Sequence, residues 1–99
     1  MDQEFLIRKM EKYADRKGIP IMEKDGITFL TEFIKLNNVK NILEIGSAIG
    51  YSAINMALTS SDVCVTTIER DKDRYIEAVK NIKEFEKILT KNEEDKNRF

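Results

Sequence analysis

The chain has 99 residues, of which 35% are charged, and its 17 basic and 18 acidic side chains leave a net charge of −1. Because the basic and acidic residues are nearly equal in number, the overall charge gives no electrostatic footprint for nucleic acid. No apolar run is long enough to span a bilayer. With one cysteine and no histidine, the sequence excludes an internal disulfide, a credible zinc site and nucleophilic catalysis through a histidine base.

Helical and extended patterns alternate along the chain. Apolar residues at helical spacing, glycine and proline breaks and short β-branched runs predict six elements. In chain order these are helices at about Asp2–Lys17 and Lys24–Leu36, a strand at Asn41–Ile45, a helix at about Tyr51–Thr59, a strand at Val63–Ile68 and a helix from near Asp71.

The apolar residues at helical spacing are expected to face the core. They are Phe5, Leu6, Met10, Tyr13 and Ala14 in the first helix, Ile27, Leu30, Phe33 and Ile34 in the second, and Tyr75, Ala78, Val79, Ile82 and Phe85 in the last. The first helix also carries basic residues interleaved with acids, a pattern typical of a solvated face. These basic residues are Arg8, Lys9, Lys12, Arg16 and Lys17.

The alternation of strands and helices predicts an α/β fold. Strands joined through a helix are parallel and right-handed. A parallel sheet needs cover on both faces and partners at its edges. Two strands are therefore an incomplete sheet, and we expect the missing cover to come from another chain or a second copy of this one.

The segment from Glu44 to Gly50 ends the first strand with a glycine loop and opens a helix. Glycines at such a junction allow a tight turn and the close approach of a ligand. The helix that follows presents N–H groups and a positive dipole end. Glu69 follows the next strand directly. A glycine loop followed about twenty residues later by an acidic residue is typical of sites that bind a ribose-containing cofactor at two points. The spacing E-x-G-x-x-x-G favours S-adenosylmethionine over NAD.

Three motifs in order carry a resemblance to a known family. Ile42–Ile54 resembles the first motif of the class I S-adenosylmethionine-dependent O-methyltransferases of the catechol and caffeoyl-CoA type, Pro20–Gly26 resembles the segment before it in the bacterial branch, and Thr66–Asp71 the second motif. Within the family the chain is most similar to the bacterial enzymes that methylate 5-hydroxyuridine in tRNA. The resemblance implies the N-terminal portion of a Rossmann-like methyltransferase fold.

The resemblance also implies a set of cofactor-binding residues for S-adenosylmethionine. They are Met22, Glu44, Gly46, Ser47, Ala48, Gly50, Ser52, Glu69 and Arg70. Bland alternatives stay open for several of them: the glycines can serve the turn alone, Ser52 can cap the helix, Glu69 can be a solvated strand end, and Met22 can be an ordinary loop residue. A structural role for Glu44 requires a local hydrogen-bond donor. Cys64 is expected to be an inert thiol.

The resemblance covers residues 1–85, about half of a family domain, and leaves residues 86–99 as a charged tail. The Mg²⁺ ligands and most of the acceptor pocket of the family have no counterpart here, so no catalytic residue is named. We expect the cofactor-binding half of an O-methyltransferase acting on a hydroxyl of tRNA or of a small catechol-type acceptor. The alternative is a non-catalytic remnant that binds cofactor or a protein partner. Acids precede any apolar stretch at the N-terminus, so we expect a cytoplasmic location, and we also expect a homo-oligomer.

Overall fold

The computed structural model describes residues 2–89 and has the predicted order of elements. In chain order they are α1 (Gln3–Lys17), α2 (Lys24–Leu36), β1 (Asn41–Ile45), α3 (Tyr51–Ala57), β2 (Cys64–Ile68) and α4 (Lys72–Leu89). This confirms the α/β class. None of the helices in residues 2–89 has the length and apolarity that a bilayer-spanning helix requires.

Local signals set the ends of α1. The Asp2 side chain caps its N-terminus by accepting a hydrogen bond from the Phe5 N–H at 2.8 Å. Gly18 ends the helix in the left-handed region, with φ of 65°, and its N–H donates to carbonyls of the last turn. The boundaries of this helix are therefore encoded within a few residues of each end.

The two strands form the predicted parallel pair. Ile42 lies opposite Val65 and Glu44 opposite Thr67 in the ladder. Side chains alternate between the faces of a strand, and the face that carries Ile42 and Val65 packs into the core, where Val65 is fully buried.

The opposite face of the sheet is open in the described part of the chain. Leu43 is 65% exposed, Ile45 75% and Ile68 51%. Within residues 2–89 the sheet is thus covered on one side only, whereas parallel sheets normally have both faces covered.

The centre of the core is α3, which contacts α1, α2, α4 and β2. Its Ala53, Ile54 and Ala57 are fully buried, and the small alanines let the neighbouring elements approach closely. Leu6 and Met10 of α1 and Phe85 of α4 complete the same cluster. The strand-to-helix loop is consequently held by a helix that is itself packed on several sides.

Three residues predicted for the core are exposed, and these predictions were wrong. Phe5 and Phe33 each lie one position from a buried residue, Leu6 and Ile34, and so point about 100° away from it to the flank of the helix. Tyr75 lies on the buried stripe of α4 but in its first turn, where no described element covers it.

The last helix extends past the predicted boundary at Phe85. Phe85 is fully buried and Ile88 packs against the same cluster, so the apolar stripe continues to Ile88, and the helix ends at Leu89. The predicted charged tail therefore begins inside α4. Its remainder, residues 90–99, lies outside the described residues.

Candidate functional site

The loop between β1 and α3 alternates in backbone handedness. Gly46 has φ of 94°, Ala48 of 48° and Gly50 of 88°. Glycine adopts these angles without the steric cost that a Cβ imposes. The two glycines of the motif therefore occupy positions where the loop conformation requires them.

The two glycines differ in what surrounds them. Among residues 2–89, a Cβ on Gly46 would meet no neighbouring atom within 4 Å, whereas one on Gly50 would meet the Ala78 carbonyl oxygen at 3.5 Å. Gly46 therefore faces open space that a ligand can fill. Gly50 faces α4, and its small size brings the start of α3 close to that helix.

Four N–H groups of the loop are engaged by the chain itself. Those of Gly46 and Ser47 donate to the Ile68 carbonyl at 2.7 and 3.1 Å, and that of Gly50 donates to the Ser47 carbonyl at 2.8 Å. The Ala48 N–H donates to a carboxylate oxygen of Glu69 at 2.7 Å. The end of β2 thus fixes the loop, and these four donors are not free to hold an anion.

Glu69 lies directly beside the loop, as its position at the end of the neighbouring parallel strand predicts. Its other oxygen accepts from the Asp71 N–H at 3.0 Å. Each oxygen of a carboxylate can accept a further hydrogen bond. The side chain is therefore oriented by two backbone donors and keeps acceptor capacity for a hydroxyl group.

Glu44 is held by two hydroxyl groups. Ser52 donates to one carboxylate oxygen, and Thr67 donates to the other at 2.7 Å. Ser47 shares a hydrogen bond of 2.5 Å with Thr67 and so joins the same network. The structure thus provides the local donors that a structural role for Glu44 requires.

Tyr51, at the start of α3, ties α1 to the loop. Its hydroxyl donates to a carboxylate oxygen of Glu11 at 2.5 Å, and the side chain is buried. Burial and the hydrogen bond to Glu11 raise the pKa of the Tyr51 phenol above its usual range. The phenol therefore stays a hydrogen-bond donor at neutral pH.

A cleft of about 320 Å³ opens over the glycine loop. Six of the predicted cofactor residues line it: Met22, Glu44, Gly46, Ser47, Ala48 and Ser52. Met22 reaches the cleft from the segment before α2. Its Cγ lies close to Gly26, 3.0 Å from where a Cβ on that glycine would be. The cleft has the volume of a small-molecule site.

The other three predicted residues lie outside the lining of this cleft. Gly50 is buried against α4, and Glu69 adjoins the cleft through its bond to Ala48. Arg70 is exposed, one residue beyond Glu69, and contributes nothing to the cleft lining.

Several residues of this region were not predicted from the sequence. Pro20, Ile21, Ile45 and Tyr51 line the cleft, Thr67 binds Glu44, and buried Asn81 of α4 donates its amide N–H to the Ile49 carbonyl at 2.9 Å. One signal was present for Asn81: it is a polar residue within the apolar stripe of α4, next to Ile82.

The described residues do not supply a metal site. Nowhere in residues 2–89 do three or more acidic, cysteine or histidine side chains come together as ligands. The Mg²⁺ ion implied by the resemblance therefore has no fitting ligand set in this part of the chain.

Comparison with known proteins identifies O-methyltransferases as relatives of this chain. The profile of the O-methyltransferase family matches residues 1–93. A caffeoyl-CoA O-methyltransferase of Populus kitakamiensis is 36% identical over 66 residues, which are 66% of this chain and 28% of the relative.

Solved structures share the fold. One is a Staphylococcus aureus protein that is provisionally named a caffeoyl-CoA O-methyltransferase. It superposes with a TM-score of 0.78 at 39% sequence identity, and the match covers 81% of this chain and 38% of the Staphylococcus aureus chain. A Bacillus cereus O-methyltransferase in complex with SAH has a TM-score of 0.73 at 24% identity, over 89% and 41% of the two chains. The chain thus spans less than half of the length of each of these proteins.

Proposed function

This chain belongs to the O-methyltransferase family, and from that membership we propose that it is the cofactor-binding half of an S-adenosylmethionine-dependent O-methyltransferase. The observation that carries the proposal is the cleft over Gly46, where the absence of a side chain leaves open space beside Glu69. The Bacillus cereus relative was solved with SAH in place. This agrees with a site for S-adenosylmethionine or its demethylated product.

The residues of the cleft have distinct roles in this proposal. Gly46 lets the cofactor approach the backbone, and Glu69 accepts hydrogen bonds from the ribose hydroxyls. Glu44 and Ser52 address the methionine end, and Met22 covers the cleft from the side of α2. When bound, S-adenosylmethionine supplies an activated methyl group on its sulfonium. The chain contributes proximity and orientation by holding the cofactor in one pose.

In this proposal the methyl acceptor is a hydroxyl group, which belongs either to a modified base of tRNA or to a small molecule. The resemblance of Pro20–Gly26 to the bacterial branch supports 5-hydroxyuridine in tRNA. The caffeoyl-CoA O-methyltransferases among the relatives support a small catechol-type acceptor. The proposed cofactor and the tRNA acceptor are both cytoplasmic molecules, so the proposal includes a cytoplasmic location.

Calorimetric titration of the chain with S-adenosylmethionine tests the proposal. We expect binding, and we expect Glu69→Ala to weaken it by roughly 1–3 kcal/mol because charge-assisted hydrogen bonds to the ribose are removed. The matched control is Glu86→Ala, which removes an equal charge from an exposed position of α4. Equal affinities of wild type and Glu69→Ala refute the role of Glu69, and no binding by the wild type refutes the proposed function.

A further inference from the structure

A groove lies between α1 and α4. It has a volume of about 530 Å³, and its lining is rich in basic and aromatic side chains. Its lining includes Phe5, Arg8, Lys12, Tyr13 and Arg16 of α1 and Lys80 of α4. We propose that this groove, hereafter the α1–α4 groove, binds a segment of single-stranded RNA through its phosphates and bases. The proposal deepens the proposed function, on which it rests for the expectation of an RNA acceptor.

The fold sorts charges that the sequence interleaves. Each of positions 5, 8, 9, 12, 13 and 16 lies three or four residues from another member of the set, so they form one stripe of α1. Four of the five basic residues of the helix lie in this stripe. Of the three acids of α1, Glu4 pairs with Arg8, Glu11 accepts a hydrogen bond from the Tyr51 hydroxyl on the side of the core, and Asp15 lies outside the lining of the groove. The net charge of the whole chain therefore understates the charge of the groove.

Several of these cations are available to a ligand. Among residues 2–89, Lys12 and Arg16 take part in no ion pair, and Lys80 meets Glu77 only at 4.0 Å. Arg8 pairs with Glu4, but its side chain is 66% exposed. Lys9 pairs with Glu84 of α4 at 3.3 Å. Exposed pairs of this kind are worth little, so a phosphate can replace the acid as partner.

The spacing suits a phosphodiester chain. Arg8, Lys12 and Arg16 are four residues apart, which places them about 6 Å apart along the helix axis. This is similar to the distance between successive phosphates of an extended strand. A single phosphate, by contrast, needs only one of these cations.

The aromatic residues favour single-stranded RNA over a plain polyanion. Phe5 is 57% exposed although it is large and apolar, and Tyr13 lies under the Arg16 guanidinium, whose central carbon is 5.7 Å from the ring centroid. Basic residues that follow the backbone, combined with aromatic faces on which bases stack, are the features of single-strand binding sites.

The test is fluorescence anisotropy of the 99-residue chain with a labelled oligouridylate of about 12 nucleotides, within the usual range of such sites. No cofactor is present, so loss of RNA binding and loss of S-adenosylmethionine binding are separate results. We expect binding that weakens with salt. The pair Lys12→Gln and Arg16→Gln should weaken it about tenfold at low salt and lower the salt slope by about 0.7 for each phosphate that is no longer neutralised.

Matched controls make the test specific. The pair Lys24→Gln and Lys35→Gln removes the same charge from exposed positions of α2, outside the groove, and should change the affinity less than about twofold. Tyr13→Ala should weaken binding about tenfold, whereas Tyr13→Phe, which keeps the ring, should not. Far-ultraviolet circular dichroism checks that each variant is folded.

Three results overturn the proposal. Equal reductions in affinity for the groove pair and the α2 pair would indicate unspecific attraction. Inorganic polyphosphate that competes as well as RNA of equal length would remove the role of the bases. An RNA duplex that binds as tightly as the single strand would contradict the single-strand assignment.

Discussion

At the scale of single residues, Glu44 shows how one carboxylate can serve the fold and the cleft together. Ser52 and Thr67 donate to its two oxygens, and the same side chain lines the cleft. A carboxylate at the end of an apolar strand is costly to bury without such donors. The hydroxyls therefore stabilise Glu44 in a fixed orientation, which a ligand amine can use without reordering the side chain.

Tyr51 leads to a prediction about pH. Burial and the bond to Glu11 raise the pKa of its phenol in the folded chain above the usual value of 10.0. The unfolded chain therefore loses this proton first, so the stabilisation is complete below about pH 10 and is lost as the pH rises above that value. We expect the free energy of unfolding of the wild type to fall more steeply above pH 10 than that of Tyr51→Phe.

Urea denaturation between about pH 8 and pH 11 measures this difference. Tyr75→Phe is the matched control, because Tyr75 is exposed in the first turn of α4. It should follow the wild type at every pH. Parallel curves for the wild type and Tyr51→Phe would show that the Tyr51 proton is not coupled to folding.

At the scale of elements, α4 and the loop between β1 and α3 are joined by one side-chain amide. Asn81 is buried, and its amide N–H donates to the Ile49 carbonyl, while Gly50 next to it allows α4 to approach. A buried carbonyl that loses its partner costs about 1–3 kcal/mol. The geometry of the loop is thus coupled to the docking of a helix distant in sequence.

We expect Asn81→Leu, which keeps the volume but removes the donor, to lower the free energy of unfolding by about 1–3 kcal/mol. Urea denaturation followed by circular dichroism measures the change. Asn55→Leu is the control, since the Asn55 amide bonds a carbonyl of its own helix at 2.9 Å. It should change stability by about 0.5 kcal/mol or less. An equal effect of the two substitutions would contradict a special role of Asn81.

At the scale of the whole molecule, the sheet has one covered and one open face. Leu43, Ile45 and Ile68 form an exposed apolar surface on the open face, hereafter the open sheet face. In the described part of the chain, β1 also has only β2 as a partner, so one of its edges is free. Apolar faces and free edges of this kind favour association.

We expect the chain to sediment as an oligomer at micromolar concentration, or to bind an apolar dye as a loosely packed state. Burying the open sheet face in a symmetric dimer is the simplest closed arrangement. Leu43→Lys should shift the chain towards the monomer, with little loss of stability because Leu43 is largely exposed.

Leu36→Lys is the control for this prediction. Leu36 is an exposed leucine at the end of α2 and is not part of the open sheet face, so its substitution should leave the association unchanged. A monodisperse wild-type monomer that unfolds cooperatively and binds no dye would contradict the prediction.

The share of its relatives' length that the chain spans leads to a prediction about activity. Residues 2–89 bring no metal-ligand group together, and the chain spans 28% of the Populus relative. We expect no methyl transfer by the isolated chain with Mg²⁺ and either acceptor class, including tRNA that bears 5-hydroxyuridine. A labelled-methyl assay measures it, with a full-length member of the family as positive control. Turnover above the background without enzyme would show that the rest of the domain is dispensable.

Much of the fold and part of the site could be predicted from the sequence because their causes are local. Helical spacing, the cap at Asp2 and the break at Gly18 act within one or two turns, and the loop glycines mark positive φ angles where they stand. Parallel pairing follows from two strands joined by a helix. The position of Glu69 beside the loop follows in turn, since the ends of parallel neighbours meet at one edge of the sheet.

The tertiary structure alone decided which residues at the edges of the apolar stripes are buried, and which groups distant in sequence come into contact. Thr67 reaches Glu44 across 23 residues, Asn81 reaches Ile49 across 32, and Glu11 reaches Tyr51 across 40. These contacts depend on strand register and on how the helices pack, which no local pattern specifies. For the same reason the sequence predicted a stripe of apolar residues on α1 but did not predict that Phe5 would lie in a basic groove against α4.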